Sequence, residues 1–352
     1  MTDTAILQLL GRADTSVATL LVLDENSAAL PRNGFAQVQV ISNRVDICNQ
    51  VQSQQWPCSF SDFEFDSVSA GDPVQALYRI SKEKRVVEHV LQSLWGLLPV
   101  GGTLLCCGYK NEGIKTFAKR AQEVWNSEPE LTRGEQHLHF YRFTKTSAAA
   151  AALNESDYHA LHPVADLNGM TLVSKPGIFA WDRIDNGSAF LLEHLRGFLP
   201  ADCTGKSGID LGCGYGLLAV ALLQAGCSRV VATDNNAAAI RACSVNLQQH
   251  CGSSETAVSA ADCAAGIDER FDLLLCNPPF HQGFDVEQDL TERFLLAARR
   301  LLHPRGRALF VSNSFIPLER KAEAHFTQVQ TLANNGRFRL TMLAEPLRRP
   351  RP

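Results

Sequence analysis

The sequence predicts an α/β fold in which two mostly parallel sheets, each flanked by helices, follow one another along the chain, and three observations predict it. Short apolar runs alternate with helix-length amphipathic segments, the pattern of βαβ units. At 352 residues, with 45% hydrophobic and 20% charged residues, the chain is longer than one compact core usually spans, so two domains are expected. An ungapped self-comparison lays Leu97-Leu98-Pro99-Val100-Gly101-Gly102-Thr103-Leu104-Leu105 over Leu301-Leu302-His303-Pro304-Arg305-Gly306-Arg307-Ala308-Leu309. Each stretch is the end of a helix, a turn and a strand. Junctions of this kind look alike in any α/β protein; the match also fits two copies of one fold, of which only the second retains chemistry.

In the first half, Thr19–Leu23, Val38–Ile41 and Thr103–Cys107 read as strands from their β-branched or leucine-rich runs, and Val86–Leu98 as a helix with apolar residues every three or four positions. Ser147 and the alanines Ala148 to Ala152, followed by polar residues through Asp157, break this texture and suit a helical or loose connector. Domains are therefore expected at 1–146 and 166–352, joined by a linker at 147–165. The second half repeats the alternation more sharply. Strands are expected at Ser207–Leu211, Val230–Thr233, Phe271–Cys276 and Arg307–Val311, and helices at Leu217–Ala225, Ala237–Gln249 and Glu287–Leu302.

Charge and cysteine usage narrow the function. Lys and Arg total 33 against 37 Asp and Glu, a net charge of −4, so no global cationic field drives indiscriminate nucleic-acid binding, and such a substrate would need local basic patches. The 11 cysteines form no C-x-x-C pair, and the one close couple, Cys106 and Cys107, is adjacent. That is neither zinc-ligand spacing nor a secreted disulfide framework, so no metal is expected and the thiols read as free, mostly buried cytosolic cysteines. Met1-Thr2-Asp3-Thr4 lacks the basic start of a signal peptide, and no apolar run approaches the roughly 18 residues needed to cross a bilayer. A soluble, cytoplasmic, monomeric chain is expected.

The chemistry-bearing motifs lie in the second half. Ile209-Asp210-Leu211-Gly212-Cys213-Gly214-Tyr215-Gly216 closes a strand and opens a helix, so Gly212, Gly214 and Gly216 let backbone approach a ligand beside a helix N-terminus. Leu217 stands where a dinucleotide fingerprint needs its third glycine, which weakens a nicotinamide reading. Asp234, in Thr233-Asp234-Asn235-Asn236, ends the next strand at about the distance where an acid meets a ribose diol, although such residues are more often helix caps. Asp262 ends a third strand, where a carboxylate or a neighbouring amide meets an adenine edge. Asn277-Pro278-Pro279-Phe280 follows the apolar strand Phe271–Cys276. Its two prolines fix the backbone and remove two donors, leaving the Asn277 amide and the Pro278 carbonyl as a rigid pair of acceptors. Such a pair receives both hydrogens of a planar amino group and frees the nitrogen lone pair for an electrophile, with Phe280 as a stacking face; orientation, more than general-base catalysis, would then carry the rate. As plain structure the same residues are a tight turn and a proline-rich strand exit.

With Asp210-x-Gly212-x-Gly214-x-Gly216, Asp234, Asp262 and Asn277-Pro-Pro-Phe280, the chain resembles the class I S-adenosylmethionine-dependent methyltransferases that alkylate amino nitrogens. Lys175-Pro176-Gly177-Ile178-Phe179, Gly187-Ser188-Ala189-Phe190-Leu191-Leu192, His281-Gln282-Gly283 after the proline motif, and Val311-Ser312-Asn313-Ser314-Phe315 narrow the resemblance to bacterial ribosomal RNA guanine-N2 methyltransferases of the RsmC and RlmG type. It covers Met170 to Leu343 by motif, and the first half by architecture and by its Leu97–Leu105 and Gly108–Gly113 segments.

The resemblance implies two tandem Rossmann-like methyltransferase domains, the first degenerate and serving RNA binding or structural support. It implies S-adenosyl-L-methionine as cofactor, with Gly212, Gly214 and Gly216 at its methionine part, Asp210 in the same loop, Asp234 at the ribose, Asp262 at the adenine, and Gly187 grouped with these contacts near the entrance. Asn277, Pro278 and Phe280 would hold the guanine, with Phe179, Pro279 and His281 shaping its pocket. The target base must be unpaired or flipped.

Phosphate contacts are expected from Lys82/Lys84/Arg85, Lys115/Lys119/Arg120, Arg305/Arg307 and the tail arginines Arg337, Arg339, Arg348, Arg349 and Arg351, although each cluster also reads as a solvated face. Tyr215 and Trp181-Asp182 depart from the family pattern. Small-subunit (16S) RNA is favoured by Pro176-Gly177-Ile178-Phe179. Large-subunit (23S) RNA, glutamine-N5 or adenine-N6 methylation, and a non-catalytic RNA-binding assembly factor are the alternatives.

Overall fold

The computed structural model describes residues 4–27, 30, 37–68, 72–147, 157–279 and 284–348. The chain forms two compact units, Met1–Ala160 and Leu161–Pro352. The first contains β1 (Thr19–Leu23), β2 (Val38–Ser42), β3 (Cys58–Phe60), β4 (Gln75–Arg79), β5 (Thr103–Gly108), β6 (Glu130–Arg133) and β7 (His139–Thr144), with helices α1 (Ala5–Leu10), α2 (Val45–Ser53), α3 (Lys84–Leu97) and α4 (Ile114–Trp125). The second contains β8 (His162–Leu167), β9 (Met170–Ser174), β10 (Ser207–Leu211), β11 (Arg229–Asp234), β12 (Glu255–Ala260), β13 (Phe271–Cys276), β14 (Leu302–Asn313), β15 (Phe326–Asn334) and β16 (Phe338–Pro346), with α5 (Asn186–Phe198), α6 (Leu217–Gln224), α7 (Ala237–His250), α8 (Phe284–Leu301) and α9 (Leu318–Ala322).

The two large sheets have the same strand order. One runs β3-β2-β1-β4-β5-β7-β6 and the other β12-β11-β10-β13-β14-β16-β15. In each the first five strands are parallel and the last two pairings are antiparallel. Strands covered on both faces read as continuous apolar runs, which is why β1 and β4 are buried at every residue. In the second sheet Leu273, Leu275, Leu309 and Val311 join one apolar cluster, while Leu274, Cys276, Ala308 and Phe310 join another, so alternate side chains feed the two faces. In the first sheet Leu20, Val22, Ala76 and Tyr78 divide in the same way from Leu21, Leu23 and Leu77.

Helix boundaries follow local signals. Glu83 caps α3 by accepting from the Val86 amide at 2.8 Å, and Val86, Val87, Val90, Leu91, Leu94 and Leu97 form its buried stripe. α6 buries Leu217 through Leu223 without a polar face, as expected of a helix packed between the sheet and neighbouring helices.

The expected linker differs from what its described parts show. The division between units falls between Ala160 and Leu161. Tyr158 packs in the core of the first unit and bonds Asp62 at 2.8 Å, while β8 begins at His162 and forms a hairpin with β9. The alanine run lies outside the described residues.

Candidate active site

The expected loop, acid and amide converge at the C-terminal ends of three adjacent strands, β11, β10 and β13. Leu211 on β10 pairs with Thr233 on β11, and Asp210 pairs with Leu275 on β13, so Asn277 emerges two residues beyond Asp210's neighbour. Strand order reverses between β10 and β13, which is where ligands bind in open α/β sheets.

Gly212, Gly214 and Gly216 take φ of +80°, +53° and +90°, values that L side chains rarely adopt. The amides of Gly212 and Cys213 both donate to the Thr233 carbonyl at 2.9 Å, folding the loop over β11. At Gly216 a Cβ would lie 2.7 Å from the Cys243 sulfur, so close packing also requires glycine there.

Asp234 is not the helix cap. Its Oδ2 accepts from the Gly214 amide and its Oδ1 from the Asn236 amide, both at 2.9 Å. The cap of α7 is Asn236, whose Oδ1 accepts from Ala238 and whose Nδ2 donates to the Gly177 carbonyl at 2.7 Å. Asp234 thus ties the glycine turn to the loop before α7. From α7 the buried Asn246 donates to the Tyr215 and Val173 carbonyls and accepts from the Val173 amide, fastening the turn to β9.

Asp210 is fully buried. Its Oδ2 accepts from the Ala219 amide in α6 at 2.8 Å, but its Oδ1 has no hydrogen-bond partner. Burial pushes its carboxyl up to about 8, and the nearby Asp234 charge adds to the rise. An orphaned carboxylate oxygen beneath a glycine turn suits a ligand that brings positive charge. Asp262 stands just after β12 and pairs with Arg293 of α8.

Asn277 is held through its amide nitrogen. Its Nδ2 donates to Asp185 Oδ2 at 2.8 Å and to Ser188 Oγ at 3.0 Å. Both amide hydrogens are thereby used, and Oδ1 is left as the acceptor. Pro278 is buried and Pro279 exposed; Phe280 and His281 lie outside the described residues. Gly187, expected among the cofactor contacts, sits against the amide: a Cβ there would be 3.3 Å from Asn277 Oδ1 and 3.4 Å from the Phe338 ring. Phe179 and Phe315, both in stretches the sequence singled out, are 59% and 64% exposed.

The local basic patches separate by exposure, with Arg85 and Arg307 half-buried. Arg120 is paired with Glu88 and Arg339 with Glu319, whereas Lys82, Lys84, Lys115, Lys119, Arg305, Arg337 and Arg348 are exposed. Arg349 and Arg351 lie outside the described residues. Among the described residues no cluster of three or more His, Cys, Asp or Glu could hold a metal ion, and no helix is long and apolar enough to cross a membrane.

Asp185 and Asn246 stood in no sequence motif, and Ser188 and Asn236 stood in motifs without an assigned role. For Asp185 a signal existed, since Asp-Asn-Gly-Ser before a leucine-rich run is a helix N-terminus. Nothing local indicated that this cap also holds a residue 92 positions further on.

Comparison with known proteins agrees with this geometry. Residues 169–342 match the family described as Methyltransferase small domain. Ribosomal RNA small subunit methyltransferase C of Pseudomonas aeruginosa (strain LESB58) is 32% identical over 271 residues, covering 75% of this chain and 77% of the relative. Ribosomal RNA large subunit methyltransferase G of Alcanivorax borkumensis is 27% identical over 346 residues, covering 94% of this chain and 85% of the relative. The T. thermophilus 16S rRNA N2 G1207 methyltransferase (RsmC), solved in complex with AdoMet and guanosine, shares the fold with a TM-score of 0.84 at 23% identity, over 97% of this chain and 92% of that one.

Proposed function

This chain belongs to the family of ribosomal RNA small subunit methyltransferase C, and on that premise we propose that it methylates the exocyclic N2 of a guanine in small-subunit ribosomal RNA, using S-adenosyl-L-methionine. The observation that carries the reading is the Asn277 amide, held by Asp185 and Ser188 with its oxygen as the acceptor.

The residues at the strand ends fit the cofactor. Asp210 Oδ1 is buried without a partner, and the backbone of Gly212, Gly214 and Gly216 passes close by without side chains. Asp210 and the glycine turn would hold the methionine part, Asp234 the ribose and the Asp262 region the adenine. When bound, S-adenosylmethionine supplies a methyl group made electrophilic by its sulfonium.

The chain's own residues then act on the base. Asn277 Oδ1 and the Pro278 carbonyl accept the two hydrogens of the guanine amino group, which turns the nitrogen lone pair out of conjugation and toward the methyl donor. Two neutral acceptors already oriented toward the amine stabilise the positive charge that develops on nitrogen during transfer. No strong base is required, because the methylated nitrogen is acidic enough to lose its proton to water. Phe280, by its place in the motif, supplies a stacking face that offsets part of the cost of extruding the base. Phe179, Pro279 and His281 shape the same pocket.

The first unit supports the fold and contributes to RNA binding. The exposed cations Lys82, Lys84, Lys115 and Lys119 there, and Arg305 and Arg337 in the second unit, meet phosphates. The enzyme acts as a monomer in the cytoplasm.

The test is to incubate the protein with radiolabelled S-adenosylmethionine and separated 30S and 50S subunits from cells lacking the gene, then to identify the modified nucleoside. N2-methylguanosine in 16S RNA is expected. The same nucleoside in 23S RNA would keep the chemistry and overturn the target, whereas methyladenosine, methylated protein or no label would overturn the reading itself.

A further inference from the structure

We infer that Asp185 and Ser188 are positioning residues for methyl transfer: they fix which end of the Asn277 side-chain amide faces the substrate. The inference rests on the proposed role of Asn277 as acceptor and extends it to the groups that make the role possible.

A primary amide is close to symmetrical in shape. Rotating it by half a turn exchanges an acceptor for a pair of donors at almost no steric cost. Facing an amino group, the wrong rotamer would set N–H against N–H and abolish orientation of the lone pair. Selection between the two must come from the other side of the amide. Here Nδ2 donates one hydrogen to Asp185 Oδ2 at 2.8 Å and the other to Ser188 Oγ at 3.0 Å. An ionised carboxylate only accepts, so the flipped amide would place oxygen against oxygen beside a negative charge.

Asp185 is itself held in place. It caps α5, accepting from the Gly187 amide with Oδ1 at 2.8 Å and from the Ser188 amide with Oδ2 at 3.0 Å. The first amides of a 13-residue helix therefore hold the carboxylate in its orientation. Gly187 completes the arrangement, since any Cβ there would crowd Asn277 Oδ1 at 3.3 Å. Donation of both Nδ2 hydrogens, one of them to an anion, also draws electron density toward Oδ1 and makes it the stronger acceptor.

Capping and positioning can be separated, because Asp, Asn and Ser all cap helices well. Asp185→Ser keeps a cap while shortening the side chain away from Asn277, and Asp185→Asn keeps cap and size while losing the acceptor-only character. In the full-length enzyme with 30S subunits, both variants should retain S-adenosylmethionine affinity within about twofold by calorimetry, with kcat lower by about 100-fold and KM little changed. Ser188→Ala, which removes one of two acceptors, should lower kcat by about 3-fold to 10-fold.

The decisive readout is a double-mutant cycle. In an Asn277→Ala background, Asp185→Ser should cause no further loss, because there is no amide left to orient. Additive losses, or an Asp185→Asn enzyme with wild-type kcat, would overturn the positioning role while leaving the guanine-N2 reading intact. A wild-type enzyme that transfers no methyl group to guanine would overturn the reading beneath it, and with it the inference.

Discussion

The two units share a strand order but not the residues at their strand ends. The self-match that places Thr103 over Arg307 carries through the registers of both sheets: Gln75 corresponds to Leu273, Thr19 to Gly208 and Val38 to Val230. Leu21 then stands where the second unit has Asp210, Ser42 where it has Asp234, and Arg79 where it has Asn277. Leu21 offers no acceptor. Arg79 offers only donors: its buried guanidinium forms an ion pair with Glu112 at 2.7 Å and donates to the Ile80 carbonyl at 2.9 Å. The fold persists in both units because the alternating buried faces of the strands specify it. Chemistry depends on a few polar side chains at the strand ends, which can change without disturbing those faces.

Substitution at paired positions separates the roles of the two units. The largest effect belongs to Asn277→Ala, which should lower single-turnover methyl transfer about 1,000-fold and leave cofactor affinity within about twofold. An unchanged rate would remove Asn277 from the chemistry. At the corresponding position of the first unit, Arg79→Ala removes a buried cation from the partly buried Glu112 carboxylate and should cost about 2–3 kcal/mol of stability. Cofactor affinity of the folded protein should not change; a matching loss of affinity would mean that the first unit contributes to the cofactor site.

Asp210→Asn has a smaller effect that depends on pH. The Asp210 carboxyl titrates near 8 in the folded chain against 3.8 for a free side chain, so the folded state holds a proton that the unfolded state releases between those values. Stability without cofactor therefore falls as pH rises from about 4 toward 8. The asparagine variant lacks that slope and at pH 8 should be the more stable protein by about 1–3 kcal/mol, a few degrees in Tm. The slope from Asp24, buried in the first unit and pushed up to about 7 chiefly by desolvation, remains in both proteins. With cofactor added the order should reverse, because only the carboxylate gains from a cation. Identical melting profiles at pH 5 and pH 8 for the two proteins would contradict a buried, titrating Asp210.

Much of this arrangement was legible in the sequence, for definite reasons. β1, β10 and β13 were bounded correctly because they are short, mostly apolar runs between turn residues. The glycine turn, Asp234 and Asn277 were legible because each combines an unusual residue with the end of such a run. Edge elements were not: β6 is exposed at all four residues and β15 is mostly exposed, so neither carries a burial pattern to read. β14 begins at Leu302, which periodicity assigned to the preceding helix, because one leucine serves the last turn of a helix or the first residue of a strand equally well. The supports of the site were hidden for another reason. Asp185 and Ser188 meet Asn277 across about 90 residues, and Asn246 meets Val173 across 73, contacts that no local pattern encodes.

The measurement that bears most directly on the claim of one fold used twice and one site is the stoichiometry of S-adenosylmethionine binding to the full chain by calorimetry. One equivalent per chain is expected, lost on replacing Gly214 (φ +53°) by valine and unaffected by Leu21→Asp, which restores an acid to the first unit without its glycine turn. Two equivalents, or a single one that survives Gly214→Val, would place a cofactor site in the first unit and contradict the division of roles between the two halves.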